Sequence, residues 1–202
     1  MNKKELAIIL SKLKPLSKPS VKLEQYATDS EIAAYIAWIA YLNYDVNDKV
    51  VADLGCGNGI FGLASLILGA KKCYFVDVSQ DSINLAKENL GNLQDELNIR
   101  FNTDFLLSDI NEVKLKVDTV IQNPPFGTKI KHADKAFLEK AMQIANSIYS
   151  IHKIESQQFI YKLASSYDFR IERVIEFDLP IRRMHSFHKK RIYRVDTACW
   201  HL

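Results

Sequence analysis

The chain is poor in cysteine, with Cys56, Cys73 and Cys199 the only three in 202 residues. An odd, widely spaced set forms neither a disulfide framework nor a zinc pattern, so buried reduced thiols and no metal are expected. Long apolar runs are also missing. Nothing approaches the roughly 18–20 residues of a membrane span. The opening Met-Asn-Lys-Lys-Glu-Leu is too short and too charged for an export signal. A cytoplasmic protein with no membrane partner is therefore expected. A large excess of one sign of charge is missing too, since the formal net charge is only +3. Bulk charge thus gives no evidence for a nucleic-acid partner. What is present is a hydrophobic share of 48% and a charged share of 25%, a mix that excludes disorder and suits one domain.

The placement of charge says more than its sum. Between residues 182 and 194 stand Arg182, Arg183, Lys189, Lys190, Arg191 and Arg194, with His185 and His188 among them and no acid between. Such a cluster can track phosphates. The N-terminal lysines, Lys3, Lys4, Lys12, Lys14, Lys18 and Lys22, are weaker candidates for the same role. The two histidines lack the partners a metal site needs.

Hydrophobic spacing predicts a first helix through Leu6, Ile9, Leu10 and Leu13, stopped by Pro15 and Pro19. A second helix is predicted over 29–43, capped by Asp29 or Ser30, with Ile32, Tyr35, Ile36 and Ile39 on one stripe. Tyr35, Trp38 and Tyr41 share helical spacing and read as core. Strands are then predicted at 49–54, 73–78, 98–102 and 117–122, with helices at 60–68, 80–90 and 133–149. A short strand at 150–153, a helix at 155–167 and two long β segments at 169–178 and 192–200 complete the chain. Alternation of this kind predicts an α/β fold: a mostly parallel sheet flanked by helices, with an antiparallel C-terminal hairpin at one edge.

The first strand runs into Asp53-Leu54-Gly55-Cys56-Gly57-Asn58-Gly59. Glycine permits positive φ and close approach of a ligand to the backbone, and the following helix offers free N–H groups. The loop lacks the Gly-Lys-Ser/Thr ending of a phosphate loop. Asp77, ending the next strand, stands where an acid accepts hydrogen bonds from a ribose diol. Asp53 can accept from loop amides or meet a cationic ligand, and it would repel a pyrophosphate. In this region the chain resembles the Rossmann-like S-adenosylmethionine (SAM)-dependent methyltransferases. The resemblance implies SAM as cofactor, with Gly55, Gly57, Asn58 and Ile60 around its methionine part and Asp77 on its ribose. It further implies Asp104 as acceptor from the adenine amino group, with Phe105 beside it.

The strand at 117–122 ends in Asn123-Pro124-Pro125-Phe126-Gly127. Ligands of open α/β sheets sit beyond the carboxyl ends of the strands, so this motif should lie beside the glycine loop. An exocyclic aromatic amine is a poor nucleophile because its lone pair is delocalised into the ring. The Asn123 side-chain oxygen and the Pro124 carbonyl can draw on both N–H bonds and favour a pyramidal nitrogen. Consecutive prolines, Pro124 and Pro125, fix φ and hold that carbonyl. Phe126 offers a face for base stacking, typically worth about 1–3 kcal/mol. The motif is similar to that of methyltransferases acting on adenine N6, guanine N2 or glutamine side chains.

Several stretches together resemble one family, the methyltransferase-like protein 5 family of ribosomal RNA adenine N6-methyltransferases and its archaeal relatives. They are Leu23 to Thr28, Val50 to Gly57, Asn123 to Thr128, Ser150 to Lys153 and Phe187 to Lys190, in the family's order. The resemblance implies an enzyme acting on an adenine of small-subunit ribosomal RNA, with a small zinc-binding activator protein as partner in eukaryotic members. It implies that residues 1–28 form a segment closing over the cofactor, through Gln25 and Thr28. It also places Phe187, His188, Lys189, Lys190 and Arg191 on the RNA side. Two positions depart from the pattern: Gln122 stands where relatives carry an apolar residue, and Ala27 where proline is common. Guanine N2, DNA adenine or a protein glutamine remain open as acceptors. A non-catalytic RNA-binding assembly factor remains open as a different class. His152 reads as structural or RNA-facing, because methylation of a neutral amine needs no strong base.

Overall fold

The computed structural model describes residues 1–17, 19–20, 24–25, 28–127, 133–182 and 192–202. Helix α1 spans Lys3–Ser11 and opens with a reciprocal capping box between Asn2 and Glu5. Helix α2, Ser30–Leu42, is capped by the Asp29 carboxylate, which accepts from the Glu31 and Ile32 amides. Alternation then follows: β1 Val50–Leu54, α3 Ile60–Ile67, β2 Lys72–Asp77, α4 Gln80–Leu97, β3 Thr103–Leu107, β4 Thr119–Gln122, α5 Ala133–Ile144, β5 Ser147–Lys153, α6 Gln157–Ser166, β6 Arg173–Arg182 and β7 Ile192–His201.

The seven strands form one sheet in the order β3-β2-β1-β4-β5-β7-β6. The first five positions are parallel, and β7 runs antiparallel to both β5 and β6. The C-terminal hairpin therefore extends one edge, with β7 inserted beside β5. Several predicted elements shift, β6 among them, which begins at Arg173 and not at residue 169. Residues 98–102 are not a strand: α4 continues to Leu97, burying Leu90 and Leu93, and Asn98 ends it in the left-handed conformation at φ 52°. The third strand begins at Thr103 instead. The helix predicted over 133–149 stops at Ile144, because the Asn146 and Ser147 amides turn to the Asp118 carbonyl and start β5. Apolar residues stand on both sides of the boundary, Ile144 and Ala145 before it and Ile148 and Tyr149 after it, so the change of period is not visible in the sequence.

Both faces are covered. Val51, Asp53, Cys73, Phe75 and Ile121 face the layer built from α1 to α4, while Leu54, Val76, Val120, Ile148 and Trp200 face α5 and α6. Gly62 sits where α3 meets β2, and a Cβ there would lie 2.2 Å from the Phe75 ring. Trp38 and Tyr41 pack against the core with ring centroids 5.4 Å apart. Tyr35 instead lies at the surface under the Lys3 ammonium. The three cysteines are free and buried. Among the described residues no helix is long and apolar enough to cross a membrane.

Candidate cofactor and acceptor site

The carboxyl ends of β1, β2 and β4 lie side by side. Register pairs Leu54 with Val76 and with Gln122. Asp77 and Asn123, each one residue further on, thus stand two strands apart, about 10 Å at ordinary strand spacing. The glycine loop lies between them. Gly55, Gly57 and Gly59 have φ of 69°, 54° and 85°. The Gly57 conformation turns its amide onto Asp77 Oδ2 at 2.9 Å, and the Ser79 amide meets Oδ1 at 2.8 Å. Burial pushes the Asp77 carboxyl up, against the pull of these donors. A braced carboxylate with its remaining lone pairs at the mouth of the loop is an acceptor for a diol.

Of the two roles open to Asp53, accepting from backbone amides or meeting a cationic ligand, the structure shows the first. Its carboxylate is buried and accepts from the Gly62 amide at 2.8 Å. The α3 N-cap residue, Gly59, has no side chain to serve that helix, and Asp53 supplies the missing cap from below. It supports the loop rather than lining it. Burial raises its pKa from 3.8 to about 8. A carboxyl raised on folding stabilises fully below its unfolded pKa and loses that contribution as pH rises through the folded value. Without cofactor, this group should therefore make stability fall as pH rises from about 4 to about 8. Melting temperatures across that range should show a smaller fall in Asp53→Asn, and equal slopes would refute the assignment.

Asn58 and Ile60 also serve the scaffold. Asn58 Nδ2 reaches the Lys14 carbonyl at 3.3 Å, and Ile60 is in the core beneath the loop. Asn89, which sequence reasoning passed over, ties both sides: its amide nitrogen donates to the Lys14 and Asn58 carbonyls, and its oxygen accepts from the Lys14 amide. A buried asparagine on a helix gives no sequence signal distinct from an exposed one.

The structure corrects Asp104 and Phe105. Both lie within β3, with Asp104 next to its amino end and paired with Lys72 at 2.6 Å. Phe105 stacks on Phe75 with centroids 4.7 Å apart. The residues that leave the carboxyl end of β3 are Ser108 and Asp109, and the Ser108 amide donates to the Asp77 carbonyl. Asp109 is exposed and accepts from the Asn111 amide at 2.9 Å. Beside it stand Val78 and Leu107, each 53% exposed. An acid with an apolar neighbour next to a diol acceptor is what a purine nucleoside needs. The third strand lies five residues later than the sequence predicts, and Asp109 rather than Asp104 therefore follows its carboxyl end.

At the end of β4, Pro124 is buried, and Asn123, Pro125 and Phe126 are half-buried. The N-terminal segment meets them. Asn123 Nδ2 donates to Thr28 Oγ1 at 3.0 Å, and the Phe126 amide donates to Glu24 Oε2 at 3.1 Å. Gln25 reaches the cofactor side, donating to Ser82 Oγ at 3.1 Å. Phe126 packs against the core on the α1–α2 side. Behind the motif, Gln122 Nε2 donates to Ser150 Oγ, which lies 2.7 Å from His152 Nε2. His152 is buried, and burial lowers its pKa to about 3. It is neutral at ordinary pH and faces the sheet interior, so the structural reading applies.

Phe187, His188, Lys189, Lys190 and Arg191 lie outside the described residues, as does most of the basic cluster. Of the N-terminal lysines, Lys12 pairs with Glu96 and Lys14 with Glu88 on α4. Exposed pairs of this kind contribute at most about 1 kcal/mol, yet they turn these cations toward acids.

A family model described as the methyltransferase small domain matches residues 37–152. The chain is 36% identical to the MJ0284 protein of Methanocaldococcus jannaschii, over 100% of the chain and 94% of that protein. It is 32% identical to the rRNA N(6)-adenosine-methyltransferase METTL5 of Danio rerio, over 95% of the chain and 93% of the relative. Among solved structures, the PH1948 protein of Pyrococcus horikoshii is similar with a TM-score of 0.91 and 38% identity, covering 100% of this chain and 97% of the other.

Proposed function

The chain belongs to the methyltransferase small domain family, and from that premise we propose that it transfers the methyl group of SAM to the N6 amine of an adenine in ribosomal RNA, the small-subunit RNA in particular. The observation that carries the reading is Asn123-Pro124 at the carboxyl edge, two strands from the braced Asp77 carboxylate. The relatives named as rRNA N6-adenosine methyltransferases support adenine over guanine or glutamine as acceptor.

The residues present fit SAM. Asp77 suits its ribose diol, Asp109 its adenine amino group, and Val78 its adenine ring. The loop lacks the Gly-Lys-Ser/Thr ending that holds phosphates, which suits a cofactor with none. SAM supplies an electrophilic methyl group when bound. The protein holds the acceptor amine by two hydrogen-bond acceptors, the Asn123 oxygen and the Pro124 carbonyl. These favour the pyramidal nitrogen over the planar one, so they act mainly on the transition state. The proton that leaves the methylated nitrogen is acidic enough to pass to water. Asp109→Ala should weaken SAM binding about 5- to 10-fold, the worth of one hydrogen bond, while Asp104→Ala should leave it unchanged. The reverse ranking by calorimetry would restore the sequence-based choice.

The closing of residues 1–28 over the cofactor is supported by the Gln25–Ser82 contact. The basic residues 187–191 supply the RNA-facing charge on this reading. The edge position of β3, with Leu107 exposed, supports a small protein activator docking along it. Free buried thiols support a reducing compartment, and we place the enzyme in the cytoplasm. Transfer of labelled methyl from SAM to small-subunit ribosomal RNA, followed by nucleoside mass spectrometry, tests the central claim. N6-methyladenosine is expected. Label confined to another nucleoside would overturn the acceptor.

A further inference from the structure

Helix α4 carries Ser82, Asn89 and Glu96 at intervals of seven residues. That interval is close to two helical turns, so the three side chains share one stripe. The N-terminal segment runs along this stripe in the opposite sense. Lys12 pairs with Glu96 near the carboxyl end of α4. The Lys14 backbone meets Asn89 in the middle, and Gln25 reaches Ser82 in the first turn, on the cofactor side.

Asn89 is 1% exposed and bonds the main chain on both sides. Its oxygen accepts from the Lys14 amide at 2.9 Å. Its nitrogen donates to the Lys14 carbonyl at 3.1 Å and to the Asn58 carbonyl at 2.9 Å. A backbone N–H can only donate and a carbonyl can only accept, so these partners admit one orientation of the amide. The Asn58 carbonyl belongs to the glycine loop. It lies between Gly57 and Gly59, whose φ of 54° and 85° fall in a region glycine enters at little cost. Glycines on both sides give the peptide planes little preference of their own, so outside partners must set them. Asp77 sets the Gly57 amide, and the Cys56 carbonyl accepts from the Gly59 amide at 2.7 Å. Asn89 sets the Asn58 carbonyl. One buried side chain thus holds both the loop and the segment.

On the reading of the glycine loop as part of the SAM site, we propose that Asn89 is a positioning residue for the cofactor: its amide ties the shape of the loop to the seating of the N-terminal segment at Lys14. SAM affinity then depends on a side chain that offers no surface to a ligand. The linkage runs both ways. A seated segment favours the binding shape of the loop, and bound SAM favours a seated segment.

Calorimetry on the full chain should show a SAM dissociation constant about 10-fold higher in Asn89→Ala, the worth of a hydrogen bond at the loop. Leu93→Ala is the control. Leu93 is buried on the same helix, and its truncation removes core volume without removing a hydrogen bond to the loop. At a temperature where both variants are folded, Leu93→Ala should bind SAM within about twofold of the parent protein. Parent affinity in Asn89→Ala would overturn the proposal, as would equal losses in the two variants. Hydrogen exchange at the Lys14 amide gives a second readout. Saturating SAM should slow it about 5-fold or more in the parent protein and leave it nearly unchanged in Asn89→Ala. A parent exchange rate that SAM does not move would break the link between loop and segment, and the proposal with it. A parent protein with no SAM affinity would instead bring down the reading of the loop itself, and the proposal along with that reading.

Discussion

Asn123→Ala should slow methyl transfer to RNA about 100- to 1,000-fold, the usual effect of removing one preorganised group aimed at a transition state. SAM affinity should stay within about twofold, because Asn123 stands two strands away from Asp77. On the proposed reading the two readouts separate, because the amide would act on the acceptor nitrogen as its geometry changes and not on the cofactor's ribose. Replacing the side chain leaves Pro124 and Pro125 in place, so the carbonyl half of the acceptor pair persists and some activity should remain. A variant with full activity would remove Asn123 from the mechanism. A variant that lost SAM binding as well would show that the β4 loop supports the cofactor site directly. Isothermal calorimetry and single-turnover rates on the same preparation distinguish these outcomes.

The second large effect is expected at Asp77. Asp77→Ala should raise the SAM dissociation constant about 100-fold or more, since two charge-assisted hydrogen bonds to a diol are each worth about 1.5–3 kcal/mol. The substitution also leaves the Gly57 and Ser79 amides without their carboxylate, so the glycine loop loses its brace. Part of the loss is then positional. Cofactor affinity should suffer far more than the fold, because removing a buried, desolvated carboxylate offsets some of the lost hydrogen bonding. Calorimetry gives the affinity, and thermal melting shows whether the protein is intact. Affinity equal to that of the parent protein would mean that the ribose lies elsewhere.

Much of this site was legible because its chemistry is local in sequence. The glycine loop and Asp77 each sit at the end of a short apolar strand, and strand ends are where α/β sheets bind ligands. Asn123-Pro124-Pro125-Phe126 carries its geometry within itself, since adjacent prolines fix the backbone. The resemblance to the methyltransferase-like protein 5 family added Gln25 and Thr28, which form hydrogen bonds with Ser82 and Asn123. Asp104 lies away from the carboxyl edge for a reason the sequence hides. An extended run and a helix end that share apolar residues do not reveal where pairing begins, and a strand start misplaced by five residues moves the acid to the opposite end of the sheet.

The sequence by itself determined the order of elements, the loop conformation demanded by its glycines, and the acceptor chemistry of the motif after β4. These depend on neighbours within a few residues, where φ restriction and hydrophobic period act. Only the tertiary structure decided what each carboxylate faces. Asp53 turns under the loop to cap α3, Asp109 rather than Asp104 reaches the carboxyl edge, and Thr28 meets Asn123 across 95 residues. A side chain's partner is set by strand register and by helix packing across the chain, and neither leaves a mark on the residues next to it in sequence.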